Sequence, residues 1–167
     1  MTDAARGASA DLDRFVDGLD YPMFIVTTAH GTRRAGCLVG FATQASIDPP
    51  RLLVCLSVNN HTHHVAQRAS TLAVHALASD QRNLAALFGS ATGDEIDKFA
   101  RCQWRPGPAG VPLLTDSPRW MAGRILDRIA LGDHVGYLLE PVATHRDDNG
   151  PVLTFHDVRQ LPPGHQA

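Results

Sequence analysis

The stretch that most constrains the fold runs from Tyr21 to Val58. It holds three apolar segments rich in β-branched and aromatic residues, "YPMFIVTTA", "CLVGFATQASI" and "RLLVCLSV". Side chains of this kind fit a pleated, half-buried surface better than a helix, where branching at Cβ crowds the preceding turn. "HGTRRAG" supplies the first turn, and "DPP" ends the second strand because proline has no N–H for a central ladder. The spacing predicts an antiparallel meander. Gly40 lies inside the second strand, where a glycine points to a bulge or a close backbone approach.

The rest of the chain extends this pattern. Asn60 is placed to cap a helix running from His61 to Arg68, and "STLAVHAL" reads as a fourth strand. "SDQRNLAALFGS" predicts a helix capped by Ser79 or Asp80, with Leu84, Leu87 and Phe88 on one face and Gly89 as its stop. In "TGDEIDKFA", Thr92 and Glu95 have capping-box spacing, and Ile96 and Phe99 share a face. "RCQWRPGPAGVPLLTDSPRW" has no sustained period and reads as a long loop, 105–119 being its Pro/Gly-rich heart. "WMAGRILDRIALGDHVGYLLEPVATH" predicts two strands around a turn at Leu131 to Asp133. "DDNG" is a type I′ hairpin signal, which would lead into a last strand, "PVLTFHDV".

About seven strands with two or three short helices result. The helices do not alternate one-for-one with strands, so a doubly wound parallel sheet is disfavoured. The class is mainly β, a small antiparallel barrel with inserted helices. A chain of 167 residues has room for one full core. The expected organisation is an N-terminal extension at 1–19 with a helical patch around Leu12, Phe15 and Val16, one domain at 20–160, and a tail at 161–167.

Charge narrows the function. A net charge of −2 gives no electrostatic footprint for nucleic acid or an anionic membrane. The chain has no run of about eighteen apolar residues to span a bilayer, and "MTDAARGASADLDRF" lacks the apolar core of a secretory signal. Cys37, Cys55 and Cys102 stand at unrelated spacings without a C-x-x-C, which fits free thiols in the cytoplasm.

Three local features carry candidate chemistry. "VNNHTHHVAQ" crowds His61, His63 and His64 into one turn. It lacks the H-E-x-x-H arrangement and a nearby acidic ligand, so no metal site is expected and solvent-facing histidines are the simpler reading. The same helix start, with Asn60 and the Thr62 hydroxyl, suits either plain capping or a phosphate. Thr43, Gln44 and Ser46 are polar positions in an otherwise apolar strand, either a solvated face or an edge facing a planar heterocycle. In "LGDHVGYLL", Asp133 can fix the tautomer of His134 and leave the other ring nitrogen, as an N–H, for a substrate; the plain alternative is a turn. There is no G-x-S-x-G, P-loop or G-x-G-x-x-G.

As an ordered set, "YPMFIVTT", "GCLVGFATQASIDPPRLLVCLSVNNHTHHVAQ", "LAALFGS", "DKF" and "GDH" resemble the flavin reductase-like family of FMN-binding split barrels, over about Asp20 to Ala143. The resemblance implies a six-stranded antiparallel Greek-key barrel, homodimeric, with FMN or FAD at the barrel edge and NADH or NADPH as co-substrate. The strand of Gly40, Phe41, Ala42, Thr43, Gln44, Ala45 and Ser46 would lie along the isoalloxazine, with Cys55 and Ser57 beneath it. Asn60, Thr62 and His63 would stand at the phosphate end, and Phe88, Lys98 and Phe99 near the pocket. His134, oriented by Asp133, would meet the nicotinamide nucleotide. The family more often has Asn, Ser or Thr where Ala42 and Ala45 stand, which implies fewer side-chain hydrogen bonds to the flavin here.

The activity so implied is NAD(P)H-dependent flavin reduction, with hydride passing to flavin and reduced flavin supplied to a partner monooxygenase. The alternatives are a flavin-binding electron carrier or a deazaflavin-dependent reductase on the same barrel, and a metal-binding protein using the histidine cluster.

Overall fold

A computed structural model describes residues 11–91, 96–147 and 149–164. Its main sheet has seven strands: β1 (Phe24–His30), β2 (Arg33–Val39), β3 (Ala42–Ser46), β4 (Arg51–Ser57), β5 (Thr71–Ala76), β8 (Arg119–Ala130) and β9 (His134–Arg146). Their order is β2-β1-β5-β8-β9-β4-β3, and every pairing is antiparallel. β6 (Trp104–Pro106) and β7 (Pro112–Leu114) form a separate two-stranded ribbon. Three helices are inserted: α1 (His61–Ala66), α2 (Arg82–Ser90) and α3 (Phe155–Val158). Residues 11–16 are also helical.

The two edge strands of the sheet, β2 and β3, are consecutive in the chain and separated only by Gly40 and Phe41. The sheet must therefore curl until its two ends meet. The interior confirms the curl, because Cys37 and Val39 of β2 pack in one cluster with Val54 and Leu56 of β4, a strand next to the opposite edge. Val26, Leu72, Val74, Tyr137 and Leu139 complete that inner core. A second core lies outside the sheet, where Met23, Ile25 and Leu77 meet Phe88 of α2, Phe99, Leu153 and Val158 of α3. Ile25 and Val26 are neighbours in sequence and serve opposite cores, as the two-residue period of a strand requires. This is why β1 and β5 are apolar on both faces and polar Thr27 and Thr28 there are hydrogen-bonded, to the carbonyls of Pro112 and Thr71.

Several expectations change. The predicted second strand is two, β2 and β3, on opposite edges, so the meander becomes two hairpins. The first turn shrinks to two residues, with Arg33 to Gly36 already in β2. α1 ends at Ala66. α2 begins at Arg82 behind Gln81, which makes no side-chain cap bond, so neither Ser79 nor Asp80 caps it, and Gly89 lies within it. The Thr92–Glu95 capping box lies outside the described residues; downstream, Asp97 caps a 3-10 turn, Lys98–Arg101. The loop at 105–119 holds the β6–β7 ribbon, because Pro106 and Pro112 tolerate a short edge pairing around Pro108–Gly110. The turn at Leu131 to Asp133 stands where the spacing places it. The hairpin signal includes Asp148, outside the described residues, and "PVLTFHDV" is not a strand. It makes isolated bridges, Val152 to Ala78 and Thr154 to Pro22, then becomes α3.

Candidate active site

The seam where the sheet ends meet is also where a cavity opens. Gly40 and Phe41 leave β2 and enter β3, held to the barrel by the Cys55 N–H donating to the Phe41 carbonyl at 2.9 Å. A Cβ on Gly40 would sit 2.5 Å from the Tyr21 ring, so the backbone passes closer to that ring than any side chain would allow. Phe41 is left 57% exposed at the rim. β3 pairs with β4 alone, so alternate backbone N–H and C=O groups of its other edge have no ladder partner.

Two cavities meet at this seam. An inner cleft of about 380 Å³ is lined by Gly40, Phe41, Cys55, Ser57, Asn60, Phe88, Lys98 and His134 of the expected set. An outer cavity of about 1700 Å³ shares Gly40, Phe41 and Cys55 and adds Ala42, Thr43 and Asp133. Tyr21 and Phe155, stacked at 5.0 Å between centroids and 15° between planes, line both.

The G-D-H turn reaches the cleft through the sheet register. Ser57 pairs with His134, and the Val58 N–H donates to the Asp133 carbonyl at 2.9 Å. The His134 ring lies 5.3 Å from that of Phe41. Its Nδ1 is 2.8 Å from an Asp133 carboxylate oxygen, and the hydrogen bond and charge of His134 hold the Asp133 carboxyl below its usual range. A carboxylate only accepts, so Nδ1 carries the proton. In the neutral ring Nε2 is then an acceptor, and it donates only as imidazolium, which corrects the expectation that this nitrogen offers an N–H to a substrate.

Just beyond Ser57 and Val58 in the chain, the Asn60 side chain accepts the Thr62 N–H at 2.9 Å and caps α1. Lys98 is buried, and its ammonium donates to the carbonyls of Gly36 at 3.0 Å and Phe88 at 3.1 Å. Burial raises the thiol of Cys55 above its ordinary value.

Other expected residues lie elsewhere. His63 is buried, with Nδ1 2.9 Å from the Tyr137 hydroxyl and Nε2 2.9 Å from the Gln67 amide nitrogen. Both ring nitrogens are occupied, so as placed it locks α1 to β9 and does not face solvent or a phosphate. Thr62 is buried behind the cleft wall. Phe99 packs edge-on against Phe88 and Trp104 in the outer core and supports the wall without lining it. Gln44, Ala45 and Ser46 continue along β3 beyond both cavities. Among the described residues no group of three or more His, Cys, Asp or Glu converges on a metal-sized space. Tyr21, Phe155 and Arg159 were missed. Thr154 and Asp157, three apart, are the signal that reveals α3, and their side chains do form the capping box.

The description of the flavin reductase like domain matches residues 16–163. The chain belongs to that family. Among its flavin reductase relatives, the FMN reductase (NADH) RutF of Stutzerimonas stutzeri is 33% identical over 131 residues, covering 78% of this chain and 75% of the relative. The 4-hydroxyphenylacetate 3-monooxygenase reductase component of Salmonella typhimurium is 28% identical over 141 residues, covering 81% and 83%. In fold, the chain matches the NADH:FAD oxidoreductase SgcE6 of Streptomyces globisporus with a TM-score of 0.80 at 23% identity, over 92% of this chain and 90% of that one.

A flavin fits the residues present. The inner cleft has the volume of a single small-molecule site, for which roughly 300–1000 Å³ is usual. Gly40, Phe41 and Cys55 give it an apolar wall beside an open strand edge, which suits a planar ring that needs backbone partners. Asn60 and the Lys98 ammonium give one end the polarity an anionic tail requires.

Proposed function

We propose that the protein is an NAD(P)H-dependent flavin reductase that supplies reduced FMN or FAD to a partner monooxygenase. The observation that carries this reading is the pair of joined cavities with His134 and Asp133 at their junction, one sized for a flavin and the other open to a second substrate. Relatives named FMN reductase and monooxygenase reductase component support it.

When bound, the flavin supplies a ring that accepts two electrons as hydride. The chain's own residues orient and shield. Phe41 and Cys55 flank the ring position and keep water from it, while Gly40 lets the backbone approach. Asn60 and Lys98 hold the phosphate end. Asp133 keeps the His134 proton on Nδ1, so Nε2 accepts a hydrogen bond from the incoming nucleotide and aligns it. Hydride transfer needs no general acid, so no residue is assigned one.

We read residues 33–46 as a single strand bent at Gly40 and Phe41, which turns the curled seven-strand sheet into a six-stranded split barrel. A homodimer completes the reading. Phe41 and Ile47, which flank β3, Leu126, Ile129 and Leu131, toward the tip of the β8–β9 hairpin, and Val142, farther along β9, are exposed apolar side chains that a second copy would cover. The free thiols of Cys37, Cys55 and Cys102 suit the cytoplasm.

The test is oxidation of NADH and NADPH with and without added FMN or FAD, alongside the absorption spectrum of the purified protein. Flavin-dependent oxidation is the expected result. A tightly held flavin with negligible NAD(P)H oxidation makes the protein a carrier and overturns the reading. A monomeric mass by light scattering, with full flavin affinity, overturns the dimer.

A further inference from the structure

We propose that Arg159 is the cation that receives the phosphates of the nicotinamide nucleotide, in the outer cavity; the inference rests on the reductase reading above. The inner cleft, about 380 Å³, has room for one mononucleotide-sized molecule and not for a dinucleotide beside it. The second substrate therefore approaches from the outer cavity of about 1700 Å³, which meets the cleft along Tyr21, Gly40, Phe41, Cys55 and Phe155. A dinucleotide brings a diphosphate, and an arginine fork matches phosphate oxygens better than any other side chain.

Three side chains lining that cavity are cationic or can become so, Arg14, His156 and Arg159. Arg14 faces Asp11 at 3.7 Å. His156 faces Asp20 at 3.5 Å. Arg159 is exposed and has no hydrogen bond or ion pair with any described residue. Its backbone is nevertheless fixed. It stands at the C-cap of α3, and α3 is held by its capping box and by the stack of Phe155 on Tyr21. With the backbone already fixed, only the side chain's own freedom is lost when the guanidinium meets an anion. The acidic groups of the cavity bias the pose the same way. Asp13 and Asp17, from the N-terminal segment, repel a diphosphate, and Asp133 already accepts from His134. The phosphates are thereby directed to the C-terminal segment that carries Arg159.

The experiment compares wild type, Arg159→Ala and Arg159→Lys, each loaded with FMN. Binding of NAD+ is measured by calorimetry, NADH oxidation by steady-state kinetics, and FMN affinity by titration. Arg159→Ala is expected to weaken NAD+ binding and raise the KM for NADH by about tenfold or more, the loss of one charge-assisted contact. Turnover should stay within about twofold, the signature of lost uniform binding. FMN affinity should hold, Arg159→Lys should recover part of the loss, and the salt dependence of the NADH constant should flatten in Arg159→Ala. A merely structural role would lower FMN affinity and show no rescue by lysine. Unchanged NAD+ affinity and NADH constant in Arg159→Ala, or an equal fall in FMN affinity, overturns the proposal. If the wild type binds NAD+ without oxidising NADH, the reductase reading falls while the binding comparison still decides Arg159. Neither binding nor oxidation by the wild type overturns both.

Discussion

His63 and His134 each carry a hydrogen-bonded imidazole, and their surroundings assign them opposite work. His63 has both ring nitrogens engaged, by Tyr137 and Gln67, and lies in the protein interior. Burial, and then the neighbouring His64, lowers its pKa. His134 has one nitrogen held by Asp133 and the other left at the rim of a cavity. A saturated imidazole is a joint between elements, whereas a half-saturated one is a tool. The crowded histidines that draw the eye in the sequence contain the joint, and the inconspicuous turn holds the tool.

The comparison breaks most visibly in stability. His63→Ala removes the imidazole bonded to the buried Tyr137 hydroxyl, leaving Arg128 as its side-chain neighbour, and opens space between α1 and β9. The expected cost is about 3 kcal/mol in urea unfolding. FMN affinity should change less than about twofold, since the α1 cap at Asn60 is untouched; a collapse of FMN affinity with stability intact would make His63 a ligand after all.

Acid tests the same contrast through His75, a second saturated histidine. Its Nδ1 donates to the Ile25 carbonyl at 3.0 Å, and its Nε2 receives the Leu114 N–H at 3.0 Å. That acceptor role puts the proton on Nδ1 and keeps the ring neutral. Burial lowers its pKa to about 4. The folded pKa lies below the unfolded value of about 6.5, so the unfolded chain binds the extra proton between them. Stability is complete above pH of about 6.5 and falls as the pH drops toward about 4, by about 3 kcal/mol in all. Urea midpoints across that window check it. A profile unchanged in His75→Gln would remove His75 as its source.

His134→Ala should act on binding and hardly on stability. The NAD(P)H constant should rise about tenfold with turnover within about threefold, and unfolding should move by no more than about 0.5 kcal/mol. Flavin affinity collapsing while the NAD(P)H constant holds would sink its role. Asp133→Asn should have the smallest effect, about two- to threefold on the same constant, because an amide still accepts from Nδ1 but orients it less firmly. An effect larger than that of His134→Ala would give Asp133 a role of its own.

Much of the fold was legible in the sequence. Apolar runs of strand length marked β1, β4, β5, β8 and β9, because a period of two survives wherever a strand separates two environments. Asn60 announced its cap, and Leu131 to Asp133 their turn, since both are decided by a few neighbouring residues. The split of 37–47 at Gly40 was only hinted at. No local rule says that one apolar run serves both edges of a sheet. The C-terminal segment was misread because the Leu153 and Val158 burial that fixes it depends on partners far away in sequence.

The sequence by itself determined the class, the family and the short-range chemistry, including the Asp133–His134 pair, because these rest on residues one to four apart. Only the tertiary structure decided which histidine is spent and which is available. It also decided that Tyr21, Phe155 and Arg159, from opposite ends of the chain, border the same cavity. Burial and partner saturation are sums over contacts made when the sheet curls on itself, and no window of sequence contains those contacts.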